Sequence, residues 1–467
     1  MKTTLFTLFC AGCFSLTALA NQSKVATQTE RPAKTWRYRV ALTDKKNCGY
    51  TVKHPEAFLS TASIQRRRRL GLKVDQHDLP LTPSYLQQLR EVGMKICYQS
   101  KWNNTVVVET ADTTQMRKVR CFPFVNSTRL VWQSPDSLLV QAMPTDRQTL
   151  VTNQRDTLAN YYGHAATQVE MLQVQKLHQS GFRGKGVTIA VIDGGFFNAD
   201  LIDGLKHARI LGTRNFVRPT TSVYEEQSHG MSVLSCMAAN APYSLVGTAP
   251  EASYYLLQSE DWESEQLIEE DVWCAAVEYA DSIGCDIVTS SLGYMLFDHP
   301  EMSHKYYEQD GQTALNSRSA SLAASRGILL FNSAGNSADE QWKKIGFPAD
   351  ATNMITVGAV NADRLNTVFS SIGNTADGRV KPDLMAQGGA AAVYRIDGSV
   401  GRVNGTSFSC PILCGAVACI VGAFPHRRPE EIIRALQQSG DNATHPDNIF
   451  GYGIPNLYRA FSILKQL

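Results

Sequence analysis

Five short apolar runs constrain this chain more than any other feature. They read GVTIAVID (Gly186–Asp193), YYLLQ (Tyr254–Gln258), CDIVTSS (Cys285–Ser291), GILLFNS (Gly327–Ser333) and MITVGAV (Met354–Val360). Each has the length of one strand and is largely apolar at successive positions, as a strand buried on both faces requires. Helical stretches lie between several of them, over Gln266–Ile283 and Gln312–Arg326. Strands alternating with helices predict an α/β fold, a doubly wound, mainly parallel sheet with helices on both faces. In such sheets, sites form beyond the carboxyl ends of the strands. Chemistry is therefore sought where these runs end.

The 467 residues suffice for two or three domains. A net charge of +2 with 19% charged residues sets up no strong field, so neither nucleic acid nor an anionic membrane is implied. The N-terminus has its own texture. Lys2 precedes the apolar stretch LFTLFCAGCFSLTALA, which closes on Ala18-Leu19-Ala20 before Asn21. This layout is that of a secretory signal peptide over residues 1–20, and it predicts export to the periplasm or the medium. A membrane anchor would need a longer apolar core. A lipoprotein would use Cys13, but Cys10 stands where an aliphatic residue is expected. No later segment reaches the roughly 18 apolar residues of a membrane span. The run Ile412–Phe424 suits a buried helix.

Residues 21–160 read as a separate small domain and a linker ahead of a large domain over 161–467. WRYRVAL and NNTVVVET carry strand formers, and TPSYLQQLREVG has helical spacing stopped by Gly93, so an α+β unit is expected. The run Arg66–Arg69 within it reads as a solvated helix face. Nine cysteines follow the leader. Cys410, Cys414 and Cys419 read as small core residues, no cysteine or histidine spacing suits zinc, and no disulfide is assigned.

Four strand or helix ends carry reactive side chains. Asp193 closes the first run ahead of Gly194-Gly195, and His229 stands in SHGMSV. Asn336 follows GILLFNS, and Ser407, in NGTSFSCP, immediately precedes a long apolar helix. A serine hydroxyl becomes a nucleophile only beside a base. A histidine can take the proton, and a buried carboxylate fixes its tautomer. A developing oxyanion needs preorganised donors, which a helix N-terminus and an amide side chain supply. Taken singly, Asp193 could cap a turn, Ser407 a helix, and Asn336 could form a turn with Gly335. Together they fill one mechanism.

AVIDGG, SHGMSV, NSAGNS and NGTSFSCP, in that order, resemble the aspartate, histidine, oxyanion-asparagine and serine motifs of the subtilisin-type serine peptidases, the subtilases. The resemblance runs from about Val169 to Leu467. It implies Asp193, His229 and Ser407 as catalytic residues, Asn336 in the oxyanion hole, and SSLG as a substrate-pairing strand through Ser291, Leu292 and Gly293. It further implies an N-terminal prodomain that assists folding and blocks the cleft, cut within roughly Gln141–Tyr162. The expected activity is that of a secreted serine endopeptidase made as a zymogen, acting on proteins or peptides without a cofactor. Some subtilases bind structural calcium, but no motif supports it here, and the acidic stretch Glu260–Glu265 reads as solvated loop charge.

Two positions depart from the family pattern. Gly194 replaces a Ser or Thr, and Met231 replaces a Thr. The remaining histidines lack a comparable motif, and His426 and His445 read as surface residues. An α/β-hydrolase is excluded by the order Asp, His, Ser and by the absence of a G-x-S-x-G elbow. A dinucleotide fold is excluded because the glycines of GFRGKG precede their strand. A catalytically inactive subtilase-fold binding protein is the alternative, and the presence of all four residues argues against it.

Overall fold

A computed structural model describes residues 34–135, 147–153 and 156–467. The leader over residues 1–20 lies outside the described residues, as do residues 141–146 and 154–155 of the stretch expected to hold the prodomain cut.

The large sheet has seven strands, all parallel, in the order Leu384–Gln387, Ile355–Val360, Leu329–Ser333, Ile287–Ser290, Thr188–Asp193, Ser253–Gln258, Arg209–Asn215. Its central strands are buried on both faces, which explains their unbroken apolar runs. Ile189, Val191, Ile287 and Phe331 point into one core, shared with the helices His229–Ala238 and Thr406–Ala423. Ala190, Ile192, Val288 and Leu330 point into the other, shared with the helices Ile268–Ile283 and Leu315–Ala323. Thr406–Ala423 is long and apolar enough to cross a membrane by composition alone, but it is the buried central helix of this core. Cys410, Cys414 and Cys419 pack within it as expected.

The N-terminal region is an antiparallel sheet in the order Lys95–Ser100, Thr105–Thr110, Trp36–Leu42, Val125–Gln133, with the helices Thr61–Arg69 and Pro83–Glu91. Alternation along Thr105–Thr110 divides its valines. Val106 and Val108 enter a core of their own, whereas Val107 joins the second core of the large sheet. The small sheet is thus sandwiched, and the helix Ile268–Ile283 covers its outer face.

That helix presents a stripe of acids at helical spacing, and the N-terminal region answers each. Arg39 pairs bidentately with Asp271 at 2.8 and 2.6 Å. The backbone N–H groups of Lys101 and Trp102 donate to Glu278 at 2.8 and 3.1 Å. Arg66 and Arg67 both reach Asp281, Arg67 at 3.0 Å. Here the expectation of a solvated arginine run fails for Arg66 and Arg67, whereas Arg68 is exposed as expected. Arg66 and Arg67 are 2% and 1% exposed. The run was read by its own charge, whereas its partners, Asp281 and the Cys285 carbonyl, lie on the far side of the sequence.

Candidate active site

The strand Thr188–Asp193 delivers Asp193 to the carboxyl edge of the sheet, fully buried. The helix His229–Ala238 begins at His229 itself. Its Val233, Leu234 and Met231 are buried in the main core and fix the helix, so Met231 is packing. His229 Nδ1 lies 2.8 Å from Asp193 Oδ1. A carboxylate accepts, so this contact places the proton on Nδ1 and leaves Nε2 as the basic nitrogen. Burial pulls the His229 pKa down, and the charge and hydrogen bond of Asp193 outweigh it, so the pKa stands above 6.5. The rings of His229 and Phe408 lie 5.8 Å apart, which brings the imidazole against the start of the central helix.

That helix starts after Gly405, whose φ of +152° disfavours any residue with a Cβ. Ser407 sits in the first turn, 8% exposed, with its N–H among those a helix leaves unpaired. Four residues on, Pro411 has no N–H to give to the Ser407 carbonyl. Ser291 supplies the missing donor, its Oγ reaching that carbonyl at 2.8 Å. The segment Ser291–Gly293, which follows the strand Ile287–Ser290, is thereby tied to Ser407. The Ser407 hydroxyl makes a long 3.5 Å contact back to the Ser291 carbonyl and no hydrogen bond to His229. Contacts of this kind often tighten only when substrate binds.

Asn336 follows the strand Leu329–Ser333. Its Oδ1 accepts from the Thr406 N–H and hydroxyl, both at 2.9 Å, and Thr406 Oγ1 accepts from the Gly335 N–H at 3.1 Å. Because the Thr406 N–H needs an acceptor, the amide orientation is determined, and Nδ2 faces outward beside Gly405. The fold thus gathers Asp193, His229, Ser291, Leu292, Gly293, Asn336 and Ser407 at one edge of the sheet. Leu292 is buried and Gly293 exposed.

A subtilase family profile matches residues 184–453, and a profile described as the peptidase S8 propeptide domain of Bacteroidota matches residues 37–148. The first match spans more than half of the chain. The chain belongs to the subtilase family. It is 28% identical to subtilisin NAT of Bacillus subtilis subsp. natto over 305 residues, covering 64% of this chain and 72% of that one. It is 30% identical to the serine protease AprX of Bacillus subtilis over 307 residues, covering 58% and 65%. Among solved structures, the MycP3 protease of the type VII (ESX-3) secretion system superposes with a TM-score of 0.52 at 19% identity, covering 66% and 91%. The prenylagaramide maturation protease PagA does so with 0.51 at 21%, covering 62% and 98%. These two similarities concern the fold alone. As a subtilase with an S8 propeptide domain, the protein is a serine-type endopeptidase carrying an intramolecular prodomain.

Three features of this subtilase escape a reading of the sequence. Thr406 orients Asn336, and Pro411 commits Ser291 to Ser407. The third is Trp262, which accounts for the departure at Gly194. Its indole lies where a side chain at position 194 would stand, a Cβ there falling 2.4 Å from the ring, and Nε1 donates to the Gly194 carbonyl at 3.0 Å. The loop before it is not simply solvated charge either. Glu260 is half-buried and accepts from the Tyr294 hydroxyl. His426 and His445 are exposed as expected.

Proposed function

We propose that this subtilase is an exported endopeptidase in which Ser407 is the nucleophile, His229 the general base and Asp193 its orienting carboxylate. The reading is carried by one observation: the imidazole is held through Nδ1 on a buried carboxylate, with Nε2 turned free beside the start of the serine-bearing helix. Ser407 Oγ attacks the peptide carbonyl while His229 Nε2 takes its proton. Asp193 stabilises the imidazolium without being protonated. Asn336 Nδ2 and the Ser407 N–H donate to the oxyanion, aided by the helix dipole. His229 then protonates the leaving amine, and water hydrolyses the acyl-enzyme. These side chains supply every proton transfer, so we assign no cofactor. The substrate pairs as an added strand along Ser291–Gly293. The N-terminal domain acts as inhibitor and folding template until it is cut away, and the leader directs export.

Two measurements test these roles. The relative subtilisin loses about 10²–10³ in kcat without its oxyanion asparagine, which sets the scale expected for Asn336→Ala. An effect below about threefold would remove Asn336 from the oxyanion hole. The second measurement is the pH profile. Protonated His229 cannot accept, so kcat/KM should rise with pH through an apparent pKa above 6.5. The ion pair behaves oppositely: its contribution to stability is complete below pH 6.5 and is lost as pH rises through the folded pKa. An acid limb below 6.5 would contradict the His229–Asp193 pairing as the origin of basicity.

A further inference from the structure

The loop following the strand Ser253–Gln258 borders the site on the side away from Asn336. Gln258 stands in register with Asp193, and the Ser259 N–H donates to the Asp193 carbonyl at 3.0 Å. Glu260 therefore follows directly behind the Asp193–His229 pair, and it interacts electrostatically with both. Trp262, 51% exposed, packs against Gly194 on the same side, its Nε1 donating to the Gly194 carbonyl.

Around it acids outnumber cations. Arg218 pairs with Glu226, Asp261 and Glu263. Glu260, Glu265 and Glu269 have no Lys or Arg partner among the described residues. Glu269, 1% exposed, turns its carboxylate into this loop: one oxygen accepts from the Asp261 N–H at 3.3 Å, and Oε2 has no hydrogen-bond partner. Burial pushes the Glu260 and Glu265 carboxyls up to about 8 and about 7, and burial together with these neighbours holds Glu269 well above its ordinary value. Carboxyls gathered in this way hold protons until a cation arrives.

From this placement we infer that Trp262 and Glu260 form a specificity pocket for a lysine or arginine side chain of the substrate. The inference rests on the peptidase reading above. With the acyl side of the substrate laid along Ser291–Gly293, successive side chains point to opposite faces. The residue whose carbonyl is attacked turns toward the pocket behind that strand. The residue before it turns over His229 and Trp262. There a guanidinium or ammonium stacks on the indole face and meets the Glu260 carboxylate at the edge of a poorly solvated cluster. Partial burial of that pair makes its charge selective as well as attractive.

The test compares hydrolysis by the full-length, self-processed enzyme of internally quenched peptides that differ only at this penultimate acyl residue: Arg, Lys, Leu or Glu. Arg and Lys peptides should exceed the Leu peptide in kcat/KM by at least about tenfold, with Glu lowest. In E260Q the Arg-to-Leu ratio should fall to within about twofold of unity, and in E260K the Glu peptide should overtake the Arg peptide. Fluorophosphonate labelling of each variant reports an intact site. Labelled enzyme that prefers Leu, or an Arg preference that persists in E260Q, overturns the pocket while leaving the peptidase reading standing. Failure of both labelling and hydrolysis in the parent enzyme overturns both.

Discussion

Ser407→Ala is expected to abolish peptide hydrolysis, with kcat falling by about 10⁶, the scale known for loss of the nucleophile in the relative subtilisin. The physical reason is local. Ser407 stands in the first turn of the helix whose Phe408 ring lies 5.8 Å from that of His229, and its neighbours are committed elsewhere. The Thr406 hydroxyl is bonded to Asn336, and the Ser409 hydroxyl donates to the Thr406 carbonyl at 3.0 Å. Neither can replace it without dismantling the helix start. The same change should leave the prodomain attached, so that mass spectrometry finds the N-terminal and catalytic regions in one chain. Processing at the normal rate in Ser407→Ala would assign the cut to another protease. Residual hydrolysis above about one per cent of the parent would move the nucleophile elsewhere.

Asp281→Ala is expected to destabilise the unprocessed chain by about 3–5 kcal/mol, the usual consequence of leaving a buried charge unpaired. Two guanidiniums depend on this carboxylate. Arg66 and Arg67 are almost fully buried, and Asp281 is 0% exposed. Burial works against ionised Asp281, but the charges of Arg66 and Arg67 outweigh it and hold its pKa below the ordinary carboxylate value. Its contribution is therefore complete above pH 3.8 and is lost only as pH falls through the lower folded value. Neutral and mildly acidic conditions leave this clamp intact. Urea unfolding of Asp281→Ala in a Ser407→Ala background, at pH 7, measures the loss without self-cleavage. Replacing all three with apolar residues of similar size should recover most of it, since a well-packed apolar contact equals a buried ion pair. A loss under 1 kcal/mol in Asp281→Ala would mean that water reaches the arginines.

These two cases mark what the sequence makes legible. The parallel sheet is readable because strands such as Thr188–Asp193 are buried on both faces, and burial on both faces writes itself as an apolar run. The residues gathered at its edge are readable because each ends an element: Asp193 a strand, His229 and Ser407 a helix start, Asn336 a strand turn. Such positions carry their own local grammar of Gly, Asn and Ser. The prodomain clamp is not readable in this way. Arg66 finds Asp281 across 215 positions, and a charge run looks the same whether solvent or a carboxylate receives it. Gly194 looks like a lost hydrogen bond until Trp262, 68 positions away, is seen to fill its place. Pro411 looks like a helix irregularity until Ser291 is found on the carbonyl it releases.

The assignment of Ser407 is tested most directly by fluorophosphonate labelling of the mature enzyme, followed by mass spectrometry of the modified peptide. A single adduct on Ser407 is expected, lost in Ser407→Ala and slowed by orders of magnitude in His229→Ala, because the hydroxyl then lacks its base. An adduct on any other residue, or equal labelling of Ser407→Ala, would contradict it.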